Sequence, residues 1–374
     1  MISPIKNVFL NINNTCPYQC DYCWVRKTKG EQLAEIKKKM TFEILQASYA
    51  FCKKLQQKTF TQYPDNILCI IFATKEPLLE FNNLIRPFIE QLNNDNQKYH
   101  IVFQILTNGL LLSTDIVEFC KKHNIKILMS LDGNEESNNM NRKYYKNGIN
   151  KAFEYTLQGA SLLDTQDRCF TFTINKNTIP YLYDSLCFLS SYPHNWTRFN
   201  FNLYSHFSSE DWKEIWNIFQ TFFNTHTIKE LSFLKLYKTP STAIDENRDI
   251  ILGIDYQGNI SIKKPFHSSI PWTDKNNMQY KEQGLIRSCG NVVNNIQWEH
   301  LEKWIMKHGP SYSHTNFYTQ NKNDCKQCFC YRICHPYTNY FSYIQQYELL
   351  PEECKIRQTD FKITEYWREK YEYI

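Results

Sequence analysis

Cys16, Cys20 and Cys23, in the run Asn14-Thr-Cys-Pro-Tyr-Gln-Cys-Asp-Tyr-Cys23, leave three and then two residues between successive thiols. Three thiolates on one tight loop suit three corners of a cubane [4Fe–4S] cluster, because such clusters are held by cysteines from closely spaced runs. The fourth iron then needs a ligand from outside the loop. Zinc sites instead pair two- and four-residue spacings with a second cysteine or histidine pair nearby, and none follows before Cys52. A second set stands farther along. Cys325, Cys328 and Cys334 have two and five intervening residues, and Cys354 follows after nineteen more. Four thiols suffice for another cluster or for tetrahedral zinc.

Alternating strands and helices are expected to carry the first set. Residues 6–12 alternate into an apolar strand that delivers the cysteine loop, and Thr41 with Glu43 opens a helical pattern through Ala47, Phe51 and Leu55. Strand-like runs follow at 67–73, 101–106, 125–130, 169–174 and 198–203, each trailed by a helix-period segment. Such alternation implies an α/β fold with a parallel sheet and right-handed crossovers. Six units fall two short of a closed eightfold barrel, so the expectation is a partial (β/α)6 barrel with its chemistry at the carboxyl ends of the strands. Beyond about residue 240 the alternation stops. Short strands near 251–255 and 259–262, a helix near 298–307 and a last helix near 360–371 imply a smaller cysteine-rich domain, which divides the chain into 1–235 and 236–374.

Composition excludes several classes. The chain has 374 residues, 42% hydrophobic and 16% aromatic, with 25 Tyr and 25 Phe, far from the signature of a disordered protein. Its net charge of +5 comes from 43 basic and 38 acidic residues mixed along the sequence. No basic run forms an electrostatic footprint for nucleic acid. Residues 1–13 lack a signal-peptide cleavage site and no apolar run reaches membrane-spanning length, so the expected location is cytoplasmic. The fourteen cysteines are then expected to stay reduced. Cys52, Cys69, Cys120, Cys169 and Cys187 fall on apolar faces and read as core. His206 reads as a rim residue.

The cysteine loop, with aromatic Tyr22 before its last cysteine, resembles the signature of the radical S-adenosylmethionine (SAM) enzymes. That resemblance implies a [4Fe–4S] cluster whose open iron binds SAM, and a protein whose tasks are to bind, orient and exclude water and oxygen. Further strings in the same order resemble the family's peptide and protein maturases. Phe72-Ala-Thr-Lys-Glu-Pro-Leu-Leu79 stands where they carry Gly-Gly-Glu-Pro-Leu-Leu. Glu76 fits, but Thr74 and Lys75 replace glycines that let the backbone approach the SAM amino group. Leu106-Thr-Asn-Gly109, Ser130-Leu-Asp-Gly133 and Asn141-Arg-Lys143 also match. The resemblance implies SAM contacts at Tyr22, Thr74, Lys75, Glu76, Asn108, Ser130 and Arg142, the last pairing with the SAM carboxylate as a bidentate guanidinium would. Read alone, Thr-Asn-Gly and Leu-Asp-Gly are ordinary turns after strands.

The second cysteine set resembles the SPASM extension of these maturases. It implies an auxiliary [4Fe–4S] cluster on Cys325, Cys328, Cys334 and Cys354, with zinc as the structural alternative. Ligands for the family's other auxiliary cluster are absent: Thr338 replaces one, and no cysteine lies in 188–287. In anaerobic sulfatase maturases an aspartate serves as general base where Lys264 stands here, which ranks formylglycine formation behind modification of a ribosomally made peptide. Cys330 and Cys289 fit neither cluster and are hydrogen-donor candidates or packed thiols. The implied partners are a precursor peptide and a reductant such as flavodoxin or ferredoxin. With Cys16 so early, leader recognition is expected at the barrel rim or on a separate protein. A non-catalytic cysteine-rich or zinc scaffold is the reading from a different class.

Overall fold

The structure is a computed structural model that describes residues 5–23, 38–60, 66–93, 95–201, 207–227, 250–263, 290–296 and 298–299. In chain order these form β1 (Ile5–Asn11), α1 (Phe42–Phe60), β2 (Leu68–Ala73), α2 (Arg86–Leu92), α3 (Asp95–Lys98), β3 (Ile101–Thr107), α4 (Thr114–Lys122), β4 (Ile125–Ser130) and α5 (Glu135–Asn141). A small hairpin, β5 (Tyr145–Lys146) and β6 (Ile149–Asn150), precedes α6 (Ala152–Ser161), β7 (Cys169–Ile174), α7 (Leu182–Ser191), β8 (Trp196–Phe201) and α8 (Ser209–Thr225). The strands β9 (Ile250–Ile254) and β10 (Ile260–Lys263) follow.

Local chemistry accounts for these boundaries. In β3, residues 101, 103, 105 and 107 are buried while 102, 104 and 106 are half-buried, the period-2 pattern of a strand with one face on a core. The Ser113 side chain accepts from the Ile116 amide at the start of α4, whose last turn carries Lys121 and Lys122, so both ends of that helix are matched to its dipole. Ser208 and Asp211 form a capping box on α8. Phe72 and Phe103 stack across neighbouring strands with centroids 5.8 Å apart, and Phe88 of α2 meets Phe103 edge-on.

The expected α/β architecture is present. The sheet runs β10-β9-β1-β2-β3-β4-β7-β8, so the six expected strands lie side by side in sequence order, each parallel to the next. Stepping always in one direction, right-handed crossovers put the connecting helices on one face and the strand ends that follow Asn11, Ala73, Thr107, Ser130 and Ile174 along one rim. Among the described residues the sheet is open, with β8 and β10 at its edges. A seventh parallel strand joins it: β9 pairs with the free side of β1, Val8 opposite Leu252 and Leu10 opposite Ile254, and β10 returns antiparallel. This hairpin, expected to begin a separate unit, buries Leu252, Ile254 and Ile260 in the same core as Val8 and Leu10. Trp298 stacks on Phe51 of α1 at 5.2 Å. Strand β8 starts two residues before the expected position, where Trp196 and Thr197 pair with Cys169 and Phe170. Cys52 and Cys120 are buried, and Cys69, Cys169 and Cys187 are half-buried.

Helix α6 braces the rim from outside. The Thr156 hydroxyl donates to the Asn108 carbonyl at 2.9 Å, and a Cβ on Gly159 would stand 2.3 Å from the Gly109 carbonyl oxygen. Backbone cannot yield as a flexible side chain would. Gly159→Ala is therefore expected to lower stability by about 1–3 kcal/mol, measured as a lower urea midpoint with an unchanged m-value.

Candidate active site

The loop after β1 is fastened along its whole length. Met40 N donates to Ile12 O at 2.7 Å and Asn14 N to Lys38 O at 3.1 Å. Asn13 accepts from Thr15 N and donates to the Glu76 carbonyl. Beyond the first thiol, the Tyr18 hydroxyl donates to Ala152 O at 3.0 Å. The Gln19 and Asp21 amides donate to the Lys143 and Asn141 carbonyls, and Lys143 pairs with Asp21 at 2.8 Å. A turn closes on Cys23 N and Cys20 O. Tyr18, Gln19 and Asp21 between the thiols thus serve to dock a loop that has no regular secondary structure.

All three thiols are half-buried and free of disulfides. Burial pushes Cys16 up to about 11, with Glu76 and Cys23 adding to the rise. Burial likewise pushes Cys20 up to about 12, opposed by Arg142 and reinforced by Cys23 and Cys16. The thiols are close enough for their charges to repel, so three bare thiolates are unfavourable here without positive charge among them. Two donors face the sulfurs: Asn108 Nδ2 lies 3.6 Å from Cys16 Sγ and Arg142 Nη1 3.9 Å from Cys20 Sγ. Among the described residues no three His, Cys, Asp or Glu side chains converge as ligands of a single ion. A cubane does not require it, since each thiolate takes its own iron. Mutually repelling thiols with N–H donors directed at their sulfurs fit a [4Fe–4S] cluster.

Glu76, expected as a cofactor contact, is here the tie between neighbouring loops. Fully buried, its carboxylate accepts from Leu78 N, from the Thr107 hydroxyl at 2.8 Å and from Asn108 N at 2.9 Å. Its own amide donates to Thr15 O. Asn108 is thereby held with its side chain toward Cys16. Ser130 sits half-buried at the end of β4.

Arg142 was expected to meet the SAM carboxylate. Its Nε and Nη2 bind Asp132 at 2.9 and 3.2 Å, and its guanidinium lies 5.4 Å from the Tyr22 ring centroid. Asp132, also fully buried, accepts from the Tyr22 hydroxyl at 2.6 Å, from Asn141 and from Thr173 N. Asp132 keeps Arg142 charged, with a value well above the ordinary one despite burial, and burial holds the Tyr22 hydroxyl well above its own. Along the chain Asp132 is indistinguishable from a turn residue. Its only sequence signal is a carboxylate in Ser130-Leu-Asp-Gly133 ten residues before an arginine of the same set of motifs. Cys289, Cys325, Cys328, Cys330, Cys334, Cys354, His206 and Lys264 lie outside the described residues.

No family model matches the chain. An uncharacterized protein of Methanocaldococcus jannaschii is 29% identical over 195 residues, 51% of this chain and 61% of that one. The radical SAM cyclopropyl synthase TigE of Paramaledivibacter caminithermalis is 28% identical over 182 residues, 47% of this chain and 37% of that one. The matched stretches thus span about three fifths and just over a third of the curated relatives. Among solved structures, native anSMEcpe with bound AdoMet and Cp18Cys peptide superposes with a TM-score of 0.68 at 16% identity, covering 98% of each chain. His-tagged anSMEcpe with bound AdoMet gives 0.67. The chain has the fold of anSMEcpe. Its cysteine loop, its Glu76 and Asn108 tie and its Asp132 and Arg142 pair lie at the carboxyl ends of that fold's parallel strands.

Two measurements check this site. Asp132→Asn leaves Arg142 buried without its counter-charge and is expected to cost about 3–5 kcal/mol, read by urea unfolding. Burial raises the Glu76 carboxyl from 4.5 to about 7 against the pull of its donors. The folded protein therefore holds a proton in that window which the unfolded chain has released, so stability falls as pH rises through it. Glu76→Gln cannot titrate, and the stability of wild type relative to this variant is expected to decline from pH 4.5 to 7.

Proposed function

We propose that this chain is a radical SAM maturase that cleaves SAM reductively and removes a hydrogen from a residue of a ribosomally made peptide. The observation that carries the reading is the set of three fastened thiols, two of them faced by N–H donors, at the strand-end rim. A [4Fe–4S] cluster and SAM, when bound, would supply a 5′-deoxyadenosyl radical. Cys16, Cys20 and Cys23 would hold that cluster. Asn108 and Arg142 would place N–H groups against its sulfurs, where donors stabilise added negative charge. Tyr22, Asp132 and Arg142 would close the base of the site to water, and the Ser130 hydroxyl would be available to SAM.

A peptide substrate is favoured by the peptide bound to anSMEcpe, and radical SAM chemistry by the synthase named among the sequence relatives. Cross-linking or another oxidative change is the preferred outcome, with epimerisation as the redox-neutral one. Cys325, Cys328, Cys334 and Cys354 would hold an auxiliary [4Fe–4S] cluster, or zinc, in the part of the chain that follows β10. The unit built on the sheet, which includes β9 and β10, would carry the SAM site. Cys330 and Cys289 are candidate hydrogen donors. A flavodoxin or ferredoxin would supply the electron in the cytoplasm. Among the described residues, no helix is long and apolar enough to cross a membrane.

Iron, sulfide, zinc and 5′-deoxyadenosine measured on anaerobically reconstituted protein test this reading. About eight irons per chain, falling by half when Cys16, Cys20 and Cys23 are alanine, are expected for two clusters, with SAM cleavage lost in the same variant. Wild type that yields no 5′-deoxyadenosine above the variant would sink the enzymatic reading. One retained zinc and no iron in the variant would make the second cysteine set structural.

A further inference from the structure

Strands β7 and β8 read Cys-Phe-Thr-Phe-Thr-Ile and Trp-Thr-Arg-Phe-Asn-Phe. A parallel strand covered by apolar layers on both faces is apolar almost throughout, so this alternation gives the two faces different surroundings. Phe170, Phe172 and Ile174 are buried in the core under the helices, and Phe199 meets Phe172 and Phe219 of α8 on the same side. Thr171, Thr173, Arg198 and Asn200 therefore stand on the other face, where the Asn200 side chain donates to the Thr171 hydroxyl at 2.6 Å. All four are half-buried. Ser130 shares this face, because Ile125, Ile127 and Met129 of β4 point into the core. In register, Ser130 stands beside Thr171 and Thr171 beside Arg198. One row thus runs from Ser130 to Arg198 across two strand spacings, about 10 Å. The Thr173 amide donates to Asp132, which ties the upper end of this polar wall to Tyr22 and Arg142.

The geometry points to Arg198 as the group that receives a carboxylate of the substrate peptide, an acidic side chain or the carboxyl terminus. This assignment rests on the peptide reading above. A guanidinium stays charged and presents paired N–H groups that match a carboxylate, and half-burial makes the pairing stronger than it is in water. The other end of the same face differs in kind. Leu106 and Leu128, register partners on β3 and β4, are half-buried there and offer an anion no donor. A peptide lying across the face is thereby oriented by its charge, with the carboxylate toward β8 and apolar groups toward β3 and β4. The residue to be modified would then lie between Arg198 and Ser130, along the row that leads to the SAM site.

The probes are a soluble library of random synthetic decapeptides with free carboxyl ends, affinity-selected on anaerobically reconstituted wild type with SAM and read by mass spectrometry. Each enriched peptide is remade as its carboxyl-terminal amide and, separately, with Asp and Glu changed to Asn and Gln, which tells a terminal carboxylate from a side-chain one. One of these changes is expected to weaken binding to wild type by roughly tenfold to a hundredfold, the range for a hydrogen bond to a charged group. Arg198→Gln should lose the same factor for the acid and bind the neutral form within about twofold of wild type, as partners that lack the same contact should show. Arg198→Lys, which keeps the charge but not the fork, should fall between. Iron content, thermal unfolding and SAM affinity by equilibrium dialysis should be unchanged in both variants. Acid and neutral peptides that bind wild type equally overturn the assignment, a comparison that needs no variant to fold. A loss in Arg198→Gln as large for SAM or for the neutral peptide as for the acid overturns it too. Wild type that enriches no peptide overturns the peptide reading, and the Arg198 assignment with it.

Discussion

The Asp132 carboxylate has no solvent exposure and accepts five hydrogen bonds, from Tyr22, Asn141, Thr173 and twice from Arg142. These donors come from the cysteine loop, the end of α5 and strand β7. Removing a carboxylate from water is unfavourable unless other donors replace its hydration. The charge is therefore tolerable only when all of these segments are in place together. That requirement couples the cysteine loop to a strand more than a hundred residues away, and it commits the nearest arginine to an internal partner.

A second chain of contacts runs around the same rim. Asn13 holds the Glu76 carbonyl, the Glu76 carboxylate holds Thr107 and the Asn108 amide, and the Asn108 carbonyl is held by Thr156. Backbone ladders join the strands of a parallel sheet, but the loops beyond their carboxyl ends lie outside those ladders. Side chains that bond from one loop to the next extend the order of the sheet into the region where ligands bind. The rim is consequently built from buried polar groups with partners, whereas the body below it is built from stacked phenylalanines and aliphatic residues.

Backbone strain is distributed unevenly along this rim. After β3 and β4 the left-handed positions are Gly109 and Gly133, φ 85° and 87°, where no side chain is penalised. After β2 the same kind of position is taken by a threonine and a lysine. An exposed turn would relax such residues, and this one is instead tied to the end of β1 and to the cysteine loop. Stability forgone at one turn while its neighbours use glycine is a local conflict of the kind found at functional sites.

The sequence by itself determined the parallel strands of the sheet and the spacing of the first cysteine set. Periodicity over residues 101–107 and 125–130, and the three- and two-residue gaps between Cys16, Cys20 and Cys23, are local facts, and local spacing suffices to read them. The strings ending in Gly109 and Gly133 marked strand ends because turn conformations restrict residue choice locally. Only the tertiary structure decided partners. Asp132 looked like a turn residue because its five donors are scattered from residue 22 to residue 173. Nothing local reveals that the Glu76 carboxylate turns inward to Thr107 and Asn108. Strand β9 looked like the start of another unit because pairing with β1 spans more than two hundred residues. Periodicity reports which face of an element is buried, and burial leaves open which distant group will satisfy it.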